Sequence, residues 1–188
     1  MLKRLIAFTN EHKILRGMAS YAILWPVGNL IQQTVVEKKN FNTYDWKKCL
    51  RFSIYGAFIM GPTMFLWMRF TATIWPGRSF KSSISKAITE QFTYDPAAIC
   101  TFLFLMTLFE GKSTEDAKQE VKDKFFDTYK VGAVYWPIAQ TINFKFVSAK
   151  NQVVCTSFFS MMWSSFLAYM KHLEIEKKSL EKVKTVDK

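Results

Sequence analysis

Four side-chain amides stand in two matching octets within stretches of the chain that carry no charge. Asn29 and Gln32 lie in Trp25-Pro26-Val27-Gly28-Asn29-Leu30-Ile31-Gln32, and Gln140 and Asn143 lie in Trp136-Pro137-Ile138-Ala139-Gln140-Thr141-Ile142-Asn143. The two octets match position by position: Trp, then Pro, an amide four residues after the Trp, and a second amide seven after it. In a helix the Trp and both amides share a face, and each proline removes one backbone donor, so Pro26 and Pro137 are expected kink points. Neutral amides within an apolar helix can line an aqueous path without the cost of a buried charge, or bond to one another and hold helices together. The residues alone leave both readings open.

Charged candidates lie close by. Glu90 and Arg51 sit beside apolar runs and suit the mouth of such a path, Glu90 pairing with Lys86 one turn earlier or with Arg51 or Arg69 from a neighbouring helix. Asp95-Pro96 reads as a helix start, where an acid complements the dipole and proline fits the first turn. For catalysis the inventory is poor. His12 and His172 stand in charged flanks, no glycine-rich phosphate loop precedes a helix, and no acid or thiol is placed beside a base, so neither an enzyme nor a cofactor is expected. Cys49, Cys100 and Cys155 are few, odd in number and far apart, which is neither a disulfide framework nor a metal spacing.

The elements that must carry these residues follow from where charge is missing. The chain has 188 residues and a formal net charge of +11, with a mean hydropathy of +0.01. That mean conceals a division. Gly17 to Val36 and Asn151 to Met170 are uncharged runs of 20 residues, and Phe52 to Met68 is one of 17 that reaches Trp75 if Arg69 is tolerated. A helix of about 20 residues crosses a hydrocarbon core of about 30 Å. Pro96 to Phe109 and Val131 to Phe144, 14 residues each, are shorter and fit either buried helices or half-spans. Glu37 to Arg51, Gly77 to Glu90 and Glu110 to Lys130 are dense in charge and read as connectors. Within the last, Ala117, Val121, Phe125 and Tyr129 recur every four residues behind Ser113 as a cap, which predicts an amphipathic helix lying on the membrane interface or docked on the bundle.

Helix packing in lipid favours small residues at four-residue spacing. Ser53, Ala57 and Gly61 form one such stripe, and Thr156, Ser160, Ser164 and Ala168 form another. The expected architecture is all-α: an integral membrane bundle of four or five spans with an additional amphipathic helix. It divides into a basic lead-in at 1–16, a membrane domain at 17–171 and a charged tail at 172–188. The lead-in has no apolar run of signal-peptide length, and reads either as a mitochondrial presequence or as a plain basic helix. Because acids interleave with Lys and Arg in every connector, the positive charge describes membrane flanks rather than a nucleic-acid surface.

The octet at Trp136 has a wider context. Trp136-Pro137-Ile138-Ala139-Gln140-Thr141-Ile142-Asn143-Phe144 with Phe146-Val147 resembles the WP..Q..NF..VP signature of the Mpv-seventeen and peroxisomal-membrane-protein-2/4 family. Asp45, Lys48 and Arg51 resemble its D..R..R step, Gly61-Pro62 and Trp67 its GP....W step, Lys86, Gln91 and Pro96 its K...DQ....P step, and Trp163 its late tryptophan. The resemblance runs from Ile14 to Leu173. Departures are Phe65 for the usual His, Met68 for Tyr, Glu90 for Asp, Ser148 for Pro, Gln152 for Arg, and Gly132-Ala133 for Asn-Trp.

The resemblance implies a small all-helical membrane protein, usually of four spans, in the mitochondrial inner membrane or, alternatively, the peroxisomal membrane. Some members are reported to be pores for small solutes, and mitochondrial members are linked to reactive oxygen metabolism and mitochondrial DNA maintenance. The expected function is a channel-like pathway for small hydrophilic solutes, lined by Asn29, Gln32, Gln140 and Asn143, with Arg51 and Glu90 at a mouth. Its partners are the bilayer, the solute and possible further copies of the chain. The alternative is a non-transporting scaffold or assembly factor whose charged loops recruit soluble partners.

Overall fold

The computed structural model describes residues 12–165, all of whose regular elements are helical. The expected lead-in as far as residue 11, the charged tail at 172–188 and Ala168 of the second small-residue stripe lie outside the described residues. Helix α1 is Lys13–Val35. Helix α2, Trp46–Ile74, is α-helical over Trp46–Tyr55, π-helical over Gly56–Met60 and α-helical again over Gly61–Ile74. Helices α3 and α4 are Phe80–Phe109 and Thr114–Phe146, and α5 is described over 152–165.

Local chemistry sets the starts. Asp45 caps α2 by accepting from the Lys48 N–H at 2.8 Å, and Ser79 caps α3 by accepting from the Ser82 N–H at 3.1 Å. Ser113 and Asp116 form a reciprocal capping box at α4, as the Ser113 reading expects. Two short connections turn on glycines in the left-handed region, Gly77 before α3 and Gly111 after it, at φ of +82° and +80°.

Contacts between partners give an up-and-down order. Gly56 and Gly61 of α2 meet Tyr21 and Met18 of α1, and the Ser53 hydroxyl donates to the Ala22 carbonyl at 2.8 Å. Trp67 of α2 reaches Glu90 of α3, and Thr63 reaches Tyr94. Helices α3 and α4 run antiparallel, with Tyr129 donating to the Gln91 carbonyl at 3.1 Å and Lys86 lying over the Phe144 ring. Helix α5 lies between α4 and α1: Tyr135 donates to the Phe159 carbonyl, Gly17 meets Val153, and Gly28 meets Met161 and Ser164.

The exterior is apolar and the interior carries the polar groups. Phe92 is 71% exposed and Val134 68%, while Gln33, Asn143 and Ser83 are fully buried. Such an inversion suits lipid, where apolar surface costs nothing outside and polar groups must find partners inside. Among the described residues, two helical stretches are long and apolar enough to cross a membrane, Trp46–Ile74 and Phe80–Phe109.

The structure changes several expectations. The amphipathic segment is not a separate helix. It is the N-terminal half of α4, continuous with Val131 to Phe144, because no breaker separates Lys130 from Val131. Its apolar stripe docks on the bundle through buried Ala117 and through Tyr129. The segment from Gly77 to Glu90 is mostly helix rather than connector, since α3 begins at Phe80. Ser83, Lys86, Ala87, Glu90, Gln91 and Asp95 form its buried face, while Ile84, Ile88 and Phe92 point outward. Asp95 and Pro96 therefore lie mid-helix, not in a first turn. Pro26 and Pro137, the expected kink points, both lie inside helices that run on past them, as a kinked helix does.

The first small-residue stripe is shifted by the π turn. That wide turn precedes Gly61-Pro62, where an ordinary turn would press the proline ring on the carbonyl four residues back. The extra residue brings Gly56, instead of Ala57, against α1. A Cβ on Gly56 would stand 2.9 Å from the Tyr21 carbonyl oxygen, and backbone there cannot yield. Gly56→Ala is expected to lower stability by about 1–3 kcal/mol, measured by unfolding in detergent micelles, whereas Ala57→Gly should cost less.

Candidate functional site

Among the described residues, two polar clusters and a cavity stand out in the interior. In the first cluster the Gln33 amide nitrogen donates to Asn29 Oδ1 at 2.9 Å, and the Asp45 backbone N–H donates to Gln33 Oε1 at 2.7 Å. The Cys49 thiol donates to Asn29 Oδ1 at 3.4 Å, and Asn29 Nδ2 donates to Gln32 Oε1 at 3.3 Å. The amides of α1 thus grip the start of α2. Gln33, four residues after Asn29, carries this role more than Gln32, which is half-buried.

In the second cluster Gln140 and Asn143 of α4 grip the start of α5. Asn143 Nδ2 donates to the Gln152 carbonyl at 3.1 Å and to Thr156 Oγ1 at 2.9 Å. It also donates to Gln140 Oε1 at 3.0 Å, and Thr156 donates to the same oxygen at 3.2 Å. Gln140 Nε2 in turn donates to Glu90 Oε1, while the Trp67 indole donates to Glu90 Oε2 at 3.0 Å. Three helices, α2, α3 and α4, therefore meet on one carboxyl group. The two octets do parallel work, each on a helix whose amides hold the next helix in the chain, and the helices that carry them point in opposite directions.

Glu90, 1% exposed, lies at the heart of the bundle. Among the described residues no cation is in ion-pair reach of it. Lys86 instead donates to the Gly77 carbonyl at 2.9 Å, Arg69 lies over the Phe65 ring, and Arg51 reaches the Phe109 carbonyl and Asp45. Glu90 and Arg51 are thus held apart. Helix geometry explains this: Glu90 projects from the inward face of α3, and the cations are drawn to carbonyls and an acid nearer the helix ends.

The cavity, about 220 Å³, runs along α3 from Glu90 to Leu103, a rise of about 20 Å. Its wall combines carboxyl groups (Glu90, Asp95), hydroxyls of α5 (Thr156, Ser160, Ser164) and rings (Trp25, Tyr94, Phe102, Trp136, Trp163). Both octet tryptophans line it, whereas Asn29, Gln32, Gln140 and Asn143 do not. Asp95, buried and mid-helix, makes no hydrogen bond or ion pair among the described residues, and its Oδ2 is enclosed without a partner. Sequence reasoning missed Asp95, Gln33 and the hydroxyl side of the cavity. The signal for Asp95 was present, because Ser83, Lys86, Glu90 and Gln91 precede it at the helical period. No group of metal-ligating side chains gathers among the described residues.

Comparison with known proteins agrees with the motif reading. The family model described as "Mpv17 / PMP22 family" matches residues 107–168. An Mpv17-like protein of Xenopus laevis is 27% identical over 93% of this chain and 84% of its own length. The mitochondrial inner membrane protein Mpv17 of Drosophila melanogaster is 27% identical over 89% of this chain and 97% of its own. A PXMP2/4 family protein 4 of Dictyostelium discoideum is 26% identical over 76% and 77% of the two chains. No solved structure matches.

Proposed function

We propose that this chain, a relative of the Mpv17 / PMP22 family of membrane proteins, forms a multi-pass helical bundle in the mitochondrial inner membrane and carries small hydrophilic solutes through it. The observation that supports this reading is the cavity along α3: it holds two carboxyl groups and three hydroxyls inside a bundle whose outer surface is apolar. Polar groups in that setting are costly unless a protein group, water or a solute meets them, and Asp95 Oδ2 has no protein partner among the described residues. Its length of about 20 Å covers most of a core of about 30 Å. The amides contribute differently from a lining: they fix α2 and α5 at the angles that keep the cavity open.

Purified protein in planar bilayers tests the proposal. Discrete conductance is expected, and Ser160→Phe, which fills the cavity wall from α5, is expected to lower it about tenfold in protein shown to remain folded, since a pore conducts through its narrowest section. Absence of conductance, or conductance indifferent to Ser160→Phe, overturns it in favour of a scaffold role. Location is tested by fractionation, where recovery with peroxisomal rather than mitochondrial inner-membrane markers overturns that part.

A further inference from the structure

We propose that the cavity is a binding site for a small organic ammonium ion, held between the Asp95 and Glu90 carboxyl groups and the surrounding aromatic rings. The inference deepens the transport reading by naming the class of solute, and it rests on that reading for its physiological meaning only.

Three independent features of the cavity converge on such a ligand. Asp95 is 92% enclosed by its own 8% exposure, faces the cavity, and has no partner among the described residues. A carboxyl group buried without a counter-charge is unfavourable, and a bound cation relieves that cost. Second, Glu90 on the same wall has only neutral donors, Gln140 and Trp67. No Lys or Arg among the described residues supplies positive charge to either acid, so an ionised carboxyl group there calls for a cation from outside these residues. Third, the wall carries five rings beside the acids, Trp25, Trp136, Trp163, Tyr94 and Phe102, together with aliphatic side chains and the α5 hydroxyls. Ring faces attract cations with a diffuse charge and an apolar skin, and tryptophan does so best.

These features together discriminate among cations. A metal ion would need several oxygen ligands in close array, whereas the cavity offers two acids among rings. A methylated or alkylated ammonium fits both parts, charge against Asp95 and methyl groups against the indoles. The volume, about 220 Å³, equals that of about seven waters, which limits the ligand to a molecule near the size of choline. The α5 hydroxyls, Ser160 and Ser164, donate along their own helix to the Thr156 and Ser160 carbonyls and keep oxygen lone pairs free for a ligand hydroxyl.

The test uses full-length protein in phospholipid nanodiscs and the fluorescence of its tryptophans. Choline is expected to give a saturable change, and its uncharged carbon isostere, dimethylbutanol, is expected to bind about tenfold or more weakly, the difference carried by the carboxyl groups. Asp95→Asn should narrow the gap by weakening choline alone. Equal responses to choline and dimethylbutanol, or displacement of choline by potassium at equal concentration, overturn the proposal. The comparison of the two ligands on the parent protein needs no variant to fold. Bilayer conductance run in parallel separates the two readings: choline binding without conductance upholds the site and removes the pathway, and conductance without choline selectivity removes the site and leaves the pathway.

Discussion

Gln140→Leu is expected to destabilise the bundle more than Glu90→Leu, although both changes delete the same bond. Gln140 Nε2 donates to Glu90, and Gln140 Oε1 accepts from Asn143 and Thr156. Leucine at 140 therefore strands a buried carboxyl oxygen, while Asn143 keeps the Gln152 carbonyl and Thr156 Oγ1 and Thr156 keeps the Gln152 carbonyl. Each stranded group costs about 1–3 kcal/mol, and a carboxyl group costs more. Leucine at 90 removes the acid together with its need for partners, and leaves only the Trp67 indole and one amide proton unmet. The double variant should then be closer to Glu90→Leu than the sum of the two single losses requires, with a coupling of roughly 1–3 kcal/mol. Hydrogen bonds between membrane helices average about 0.6 kcal/mol in comparable cycles. Measured unfolding in micelles that gives additive losses within about 0.5 kcal/mol would show that the two side chains do not share a network.

Trp25→Ala carries the second large effect, on stability and transport in opposite directions. The Trp25 ring stacks on Tyr55 at 5.4 Å between centroids and meets Tyr21, Phe52 and Phe102 at 5.7, 6.1 and 5.6 Å. It also forms part of the cavity wall. Truncation removes the packing that joins α1, α2 and α3; large-to-small changes of fully buried tryptophan cost about 3–5 kcal/mol, and the half-buried Trp25 is expected to fall below that range. The same change widens the cavity, so conductance per channel is expected to rise while the melting temperature falls. Trp25→Phe should keep most of the stability with a smaller gain. If Trp25→Ala lowers conductance without unfolding the protein, the cavity is not the conducting path. Trp136, tilted on Trp163 at 6.1 Å, offers the matching test on the other octet.

Several features were legible before any coordinates. The uncharged run Gly17 to Val36 lies within α1 except for its last residue, Phe52 to Met68 lies within α2, and Ser113 caps α4 as its hydroxyl and spacing require. Gln140 and Asn143 were recognised as polar groups on one inward face, which the buried network bears out in placement. Less legible was α3. Counting charges between Gly77 and Glu90 suggested a connector, although Ser83, Lys86, Glu90 and Gln91 recur at the helical period with Ile84, Ile88 and Phe92 between them. A polar stripe that faces inward is the reverse of the soluble pattern, and a charge count does not detect it. The π turn at Gly56–Met60 was also beyond reach, since its one-residue shift depends on how Gly61-Pro62 meets α1.

By itself the sequence determined the helical class, the apolar character of the exterior and the identity of the polar groups that must be satisfied, because periodicity, chain length and hydropathy are local properties. The tertiary structure decided which polar groups are spent and which remain. Asn29, Gln140 and the Asn143 amide nitrogen are consumed in holding helix starts, and Glu90 is bonded by two neutral donors, while Asn143 Oδ1 has no partner among the described residues and Asp95 keeps a carboxyl group facing a cavity. Hydrogen bonds between residues 50 apart, such as Gln140 to Glu90, depend on helix directions and approach distances. Glycines such as Gly28 and Gly56 set those distances through close backbone contacts that no single helix contains.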